Sequence, residues 1–260
     1  MKIINKFYNI NNKLDKNIVL ISDIHYQDKK DIKVLNNILN NIKTIKPDYV
    51  CIPGDITHKT FIKDENELLE WFKEISKISK VIISLGNHEF YIKKYRKIYG
   101  LNKELLKKLS NIENLHILDN KNVIVDDINF IGFTIPMDYY KRTYKINDFS
   151  KYLNNLKINK KYYNILLCHS PINICNKDVL KNKNIDLILC GHMHGGIVPK
   201  FMRKIFKNNG LISPNKTLFP KYAYGNLEIN NTNIIISSGI KVIHFRIINI
   251  FSPEIVNIRI

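Results

Sequence analysis

Arginine is scarce in this 260-residue sequence, with five residues at positions 96, 142, 203, 246 and 259 among 41 lysines and arginines. The net charge of +18 therefore rests on lysine, scattered through a chain rich in Asn and Ile. Basic surfaces concentrate polyanions, but phosphate and base recognition favours the bidentate guanidinium fork. An unclustered lysine surplus is weak support for a nucleic-acid partner, and none is expected. Cysteine is sparse too. Cys51, Cys168, Cys175 and Cys190 show no short paired spacing, which argues against a zinc ribbon or a dithiol redox motif. Three of them end apolar runs and read as buried thiols in a reducing compartment. No stretch of about 18 uncharged apolar residues occurs, and the N-terminus has no basic segment followed by an apolar run and a cleavage site. The chain is therefore expected to be neither secreted nor membrane-spanning, and cytoplasmic.

What is present is a strand-helix rhythm over a chain that is 45% hydrophobic, enough for a sizeable core. Apolar runs at 18–22, 49–53 and 81–85 alternate with amphipathic segments at 31–46, 65–79 and 91–109. In the first of these, Ile32, Leu35, Ile38, Leu39, Ile42 and Ile45 fall at helical spacing, and Pro47 ends the helix. Further strands are expected at 115–118, 122–126, 128–134, 163–168 and 186–190, with a helix from about 148. Residues 197–222 are irregular, and 225–260 returns to alternating β-type runs. Parallel βαβ units early and antiparallel-looking strands late predict an α/β fold of two mixed sheets packed face to face, with helices outside. One domain over 1–260 is expected.

The polar residues fall where these strands end. The run at 18–22 leads into Asp23-Ile-His25, that at 49–53 into Gly54-Asp55, and that at 81–85 into Gly86-Asn87-His88-Glu89. The run at 163–168 leads into His169, and that at 186–190 into Gly191-His192-Met193-His194. Ligands of open α/β sheets bind outside the carboxyl ends of strands, so five such ends predict one shared crevice. On an extended segment Asp23 and His25, and likewise His192 and His194, would face the same way. Glycines 54, 86 and 191 would permit sharp turns and close backbone approach. Carboxylate, imidazole and amide donors together suit Mn, Fe or Zn better than Mg or Ca.

This series, D-x-H, G-D, G-N-H-E, H and G-H-x-H, resembles the calcineurin-like metallophosphoesterase superfamily over nearly the whole chain. The resemblance implies a four-layer βαβ sandwich and two divalent metal ions. Asp23, His25, Asp55 and His194 would hold one ion; Asp55, Asn87, His169 and His192 would hold the other, with Asp55 bridging. The run from Gly191 to Pro199, the segment Phe219–Gly225 and the C-terminal Phe245-Arg246 and Pro253-Glu254-Ile255 look like a bacterial branch of membrane- and cell-wall-associated phosphodiesterases and UDP-diacylglucosamine pyrophosphatases. Ile197, and Tyr26-Gln27 after the first motif, depart from that branch without touching a proposed ligand.

A phosphodiesterase using a metal-bridging hydroxide is the leading expectation. A UDP-diacylglucosamine-type pyrophosphatase on a lipid-linked substrate, a non-catalytic metal-binding scaffold, and a nuclease or cyclic-nucleotide phosphodiesterase are the alternatives. His88, next to Asn87, is expected to point away from the metals and to serve as general acid or to stabilise the transition-state charge. His58, His116 and His244 read as structural or surface residues, with His58 near enough to Asp55 to line the substrate mouth. Arg142 and Arg246 are candidate phosphate contacts. Segment 197–222 interleaves apolar side chains with Lys200, Arg203, Lys204 and Lys207. It reads either as a basic amphipathic flap resting on an anionic membrane or as a loop folded back on the core.

Overall fold

The computed structural model describes residues 3–10, 14–58, 65–90, 103–141, 149–241, 244–245, 248–249 and 253–260. Among them are two six-stranded sheets. The first runs, edge to edge, β1 (Ile4–Asn9), β14 (Glu254–Arg259), β2 (Asn17–Leu20), β3 (Tyr49–Ile52), β4 (Lys80–Ser84) and β5 (Leu115–Leu118). Its pairings are parallel except β14 with β2. The second runs β10 (Gly225–Ile229), β11 (Thr232–Ile236), β9 (Leu187–Cys190), β8 (Tyr163–Cys168), β7 (Ile128–Phe133) and β6 (Lys121–Val125). It is parallel in the middle, with an antiparallel hairpin at each edge. A short pair, β12 (His244–Phe245) and β13 (Ile248–Asn249), stands apart.

Side chains alternate across each strand, and here both faces are buried, which is why the strands read as unbroken apolar runs. Inward, Ile18, Leu20, Tyr49, Cys51 and Ile82 of the first sheet meet Phe130, Ile165, Leu167, Leu187 and Leu189 of the second. Outward, Val19, Val50 and Val81 pack beneath α1 (Ile32–Ile45), α2 (Asn66–Ser76) and α3 (Lys103–Ser110). On the opposite side Ile131, Leu166, Cys168, Ile188 and Cys190 pack beneath Phe149, α4 (Ser150–Asn154) and α5 (Lys177–Leu180). The four layers follow.

Helix α1 buries Leu35, Ile38 and Ile42 along one stripe. It stops where Lys46 turns left-handed and its N–H reaches the Ile42 carbonyl at 2.8 Å, one residue before Pro47. Trp71 of α2 donates its indole N–H to the Leu35 carbonyl at 2.7 Å, locking the two helices together.

The sequence reading located the central strands within a residue or two but assigned nothing to the first nine residues, where β1 forms. Nor are the tail strands one antiparallel group. β11 runs parallel to β9, while β14 crosses to the first sheet and inserts between β1 and β2. Of the helix expected over 91–109, residues 91–102 lie outside the described residues, as do Arg142 and Arg246. All four cysteines are free and buried. Among the described residues no helix is long and apolar enough to cross a membrane.

Phe130 is fully buried between the sheets, its ring 4.9 Å from that of Tyr49. Phe130→Ala is expected to lower stability by about 3–5 kcal/mol, measured as a fall in the urea midpoint at unchanged m-value.

Candidate metal centre

Because β2, β3 and β4 are parallel, and β8 and β9 likewise, their carboxyl ends lie at common edges and their loops converge. The loops after β2 and β3 stay zipped together beyond the strands: Asp23 N–H donates to Gly54 O at 3.4 Å, His25 N–H to Asp55 O at 3.0 Å and Tyr26 N–H to Ile56 O at 2.8 Å. They are not extended, however. Asp23, His25, Asp55, His192 and His194 all have positive φ, between 46° and 67°. The expected alternation of side chains along extended segments is therefore replaced by successive left-handed turns, which Asp and His tolerate better than β-branched residues do. Non-glycine residues in this region carry strain that the surrounding structure must over-determine.

That over-determination is visible. Glu89, buried at 6% exposure, accepts the Asp55 N–H at 3.0 Å and the Gly86 N–H at 2.7 Å on Oε2, and the Thr57 N–H at 3.2 Å on Oε1. One carboxylate thus ties the loop after β3 to the loop after β4. Asp23 receives the Ser22 hydroxyl at 2.6 Å and the His192 N–H at 3.0 Å on Oδ2. Asp55 receives the His88 N–H at 2.9 Å. Glycines enforce the spacing as expected: a Cβ on Gly191 would lie 2.5 Å from Asp23 Oδ2, and one on Gly86 would collide with the Asp55 carboxylate.

Ligand-type atoms of Asp23, His25 and His194 lie within 4.8 Å of one another, as do those of Asp55, His169 and His192 and those of His25, Asp55 and His88. Asp55 and His25 therefore join the sets. His25 Nε2 lies 3.8 Å from both Asp23 Oδ1 and Asp55 Oδ2, and His194 Nε2 lies 3.7 Å from Asp23 Oδ1. His169 Nε2 sits 3.0 Å from Asp55 Oδ2 while its Nδ1 meets the Pro53 carbonyl at 3.0 Å. Since a carbonyl only accepts, Nδ1 carries a proton, and Nε2 is the atom turned to the cluster. Asn87 Oδ1 and His192 Nε2 are buried and find no hydrogen-bond partner among the described residues. Buried acceptors without partners are costly, and a bound cation would satisfy them.

The domain model for "Calcineurin-like phosphoesterase" matches residues 16–196. The chain belongs to the calcineurin-like phosphoesterase family. It is 28% identical over 202 residues to an uncharacterized metallophosphoesterase of Campylobacter jejuni, covering 78% of this chain and 50% of that one. It is 32% identical over 176 residues to an uncharacterized protein of Acanthamoeba polyphaga mimivirus, covering 65% of this chain and 60% of that one. The chain thus spans about half the length of the curated relatives it matches. The phosphopantetheinyl hydrolase of Mycobacterium tuberculosis shares the fold, with a TM-score of 0.50 at 10% identity over 85% of this chain and 89% of that one.

In this family member the cluster gathers six of the residues expected from the strand ends, Asp23, His25, Asp55, His169, His192 and His194, while Asn87 follows β4 with its Oδ1 buried. His88 differs from expectation in orientation. Its ring does not turn away but lies tilted 4.4 Å from His25, with Nε2 3.9 Å from Asp55 Oδ2, because Asn87 and His88 lie in a turn and not in a strand. His58 packs beside both, 6.0 Å from His25 and 5.4 Å from His88. His116 lies away on β5, and the His244 side chain is outside the described residues. Two contributors were not foreseen. Glu89 stood in a motif without a role. Tyr140, whose ring lies 5.0 Å from His192 and whose hydroxyl is buried without a partner among the described residues, follows no strand end that would have marked it.

Burial, reinforced by neighbouring imidazoles, holds His25 and His192 well below the usual histidine range despite Asp55, so both are neutral near pH 7. Burial opposes ionisation of Asp55, but His169, His88 and His25 outweigh it and hold the carboxyl low. Burial and then Asp55 push Glu89 up to about 7. His169 is pulled down by burial, yet the carboxylates of Asp55, Asp23 and Glu89 raise it to about 9. A protonated Nε2 cannot ligate, so a cation entering at pH 7.5 must displace that proton. Loading with Mn²⁺ is expected to release about one proton and to tighten as pH rises toward 9, then level off. Titration calorimetry in two buffers of different ionisation heat measures the release, and a pH-independent affinity with none would contradict it.

Proposed function

We propose that this chain is a metal-dependent phosphohydrolase, a phosphodiesterase in its preferred reaction, with a dinuclear site. The observation that carries this reading is the convergence of the two buried carboxylates of Asp23 and Asp55 with the imidazoles of His25, His169, His192 and His194, His192 Nε2 among them with no partner among the described residues. Asp23, His25, Asp55 and His194 would hold one ion, and Asp55, Asn87, His169 and His192 the other, with Asp55 shared. The mixed donor set suits Mn, Fe or Zn. When bound, such a pair supplies Lewis acidity to the phosphoryl oxygens and lowers the pKa of a water.

The chain's own residues do the rest. Glu89 keeps the Asp55 loop in its left-handed turn and so orients the shared carboxylate. Ser22 and the His192 N–H hold Asp23 in one orientation. His88, with Nε2 facing Asp55 and the ring supported by His25 and His58, delivers a proton to the leaving oxygen. A scaffold role has less support, since no residue of the expected set is missing.

A second observation favours a lipid-linked substrate. Four of the seven exposed large apolar residues among the described residues fall in the flap: Phe201 and Ile205, 83% and 77% exposed, and Leu218 and Phe219. Val198 alone of the flap's large apolar side chains is fully buried. Exposed apolar side chains interleaved with lysines suit a peripheral contact with an anionic membrane.

Metal-stripped protein is expected to hydrolyse bis-p-nitrophenyl phosphate and p-nitrophenyl phosphate only after Mn²⁺, Zn²⁺ or Fe²⁺ is restored, the diester faster. Asp55→Asn should lose roughly 10²–10⁴ in kcat together with metal, and His88→Ala roughly 10²–10⁴ in kcat with metal retained. An active Asp55→Asn variant would sink the assignment. In co-sedimentation the protein should pellet with anionic and not neutral vesicles, and the Phe201→Ser, Ile205→Ser double variant should bind them at least about tenfold more weakly; equal behaviour toward both vesicles removes the lipid reading.

A further inference from the structure

The flap carries one of the chain's five arginines to the edge of this centre. Arg203 begins the short helix α6 (Arg203–Phe206). A Cβ on Gly195, the residue after His194, would lie 2.9 Å from Arg203 Nη2 and 3.1 Å from Ser238 Oγ. The other wall is as close to the centre, for Ser238 precedes Gly239, whose Cβ would lie 2.7 Å from the Cβ of Asp23. Arg203 and Ser238 thus share backbone walls with His194 and Asp23.

Their facing side-chain atoms make no hydrogen bond among the described residues. Arg203 Nε and Nη2 are buried without a hydrogen-bond partner, and so is Ser238 Oγ on a side chain with no exposure. Nε and Nη2 are the two nitrogens on one side of the guanidinium, the pair that grips two oxygens of an oxyanion side by side. No carboxylate among the described residues pairs with Arg203. Glu254, next to Ser238 and itself buried, is already engaged, taking the Ser238 N–H at 2.7 Å and Lys6 Nζ at 2.7 Å. Tyr224 holds the guanidinium from one face, 5.2 Å from ring centroid to Cζ, and donates its hydroxyl to the Arg203 carbonyl at 2.9 Å. A guanidinium edge buried with its fork vacant is unfavourable unless an anion completes it.

We propose that Arg203 and Ser238 form an anion subsite that receives a second phosphoryl group of the substrate, adjoining the one at the metal centre, so that the preferred substrates contain a diphosphate. This rests on the phosphohydrolase reading above. Access is through the flap. Helix α6 buries none of its residues, so lifting it exposes the fork at little cost in packing. The guanidinium supplies the two-point grip and the serine hydroxyl a third donor, both fixed by the Gly195 and Gly239 turns.

The test is calorimetric titration of the manganese-loaded chain with inorganic pyrophosphate and with inorganic phosphate, at one fixed free manganese concentration. The wild-type chain should bind pyrophosphate at least about tenfold more tightly than phosphate. Arg203→Gln should erase most of that preference, Arg203→Lys should erase it too because the charge survives without the fork, and Ser238→Ala should reduce it by about threefold. Melting temperatures identify any variant that fails to fold. Equal affinity of the wild-type chain for both anions, or a preference that survives in folded Arg203→Gln and Arg203→Lys, overturns the subsite while leaving the phosphohydrolase reading intact. Absence of any manganese-dependent binding of phosphate overturns both.

Discussion

Two carboxylates, Asp23 at 0% and Asp55 at 1% exposure, sit where the two apolar sheets end, and the rest of the site is arranged around the cost of keeping them there. A buried carboxylate is tolerated only when surrounded by donors or opposite charge. The first sheet supplies the acids and the second sheet supplies much of the compensation: the His192 N–H for Asp23, and the His169 ring for Asp55. The polar seam therefore crosses from sheet to sheet. Any sliding of the sandwich that spoiled the inter-sheet packing would also uncouple these pairs, so the apolar core and the candidate metal centre hold the same relative position of the sheets.

The seam also explains the backbone. A parallel strand that ends beside its neighbour has little room to turn before clashing with the adjoining loop. Left-handed turns at Asp23, His25, Asp55, His192 and His194 reverse the chain quickly and bring successive side chains to one side. Glu89 keeps two of these loops together by accepting three backbone N–H groups. Its pKa, raised to about 7, reflects burial first and then the Asp55 carboxylate beside it. His169 is raised beside these carboxylates while His25 and His192 are held neutral, an environment suited to divalent cations.

The flap divides along similar lines. Gly196 accepts the Leu211 N–H at 2.8 Å and Gly210 N–H reaches the Pro220 carbonyl at 2.8 Å, anchoring the flap's base beside His194. Its tip exposes Phe201 and Ile205. The base of segment 197–222 is thus folded back, as one of its two readings expected, while the membrane contact of the other reading is a proposal. Alternating apolar and basic residues alone could not distinguish them, since both faces of so short a helix are amphipathic in composition.

Sequence by itself determined a good deal. Apolar runs of strand length, each ending in Asp, Asn or His, marked the sheets and the cluster, because a buried strand must be apolar throughout and its polar residues can fall only at its ends. That logic located Asp23, His25, Asp55, Asn87, His169, His192 and His194. It could not say how those ends turn, since φ at Asp23 or His194 depends on which loop lies alongside. Nor could it orient His88 toward Asp55, give Glu89 its clasp, bring Tyr140 to His192, or set Arg203 of the flap beside Ser238. Most of these join loops distant in the chain, and which strands lie side by side in a sheet decided them, an order that no local pattern of residues records.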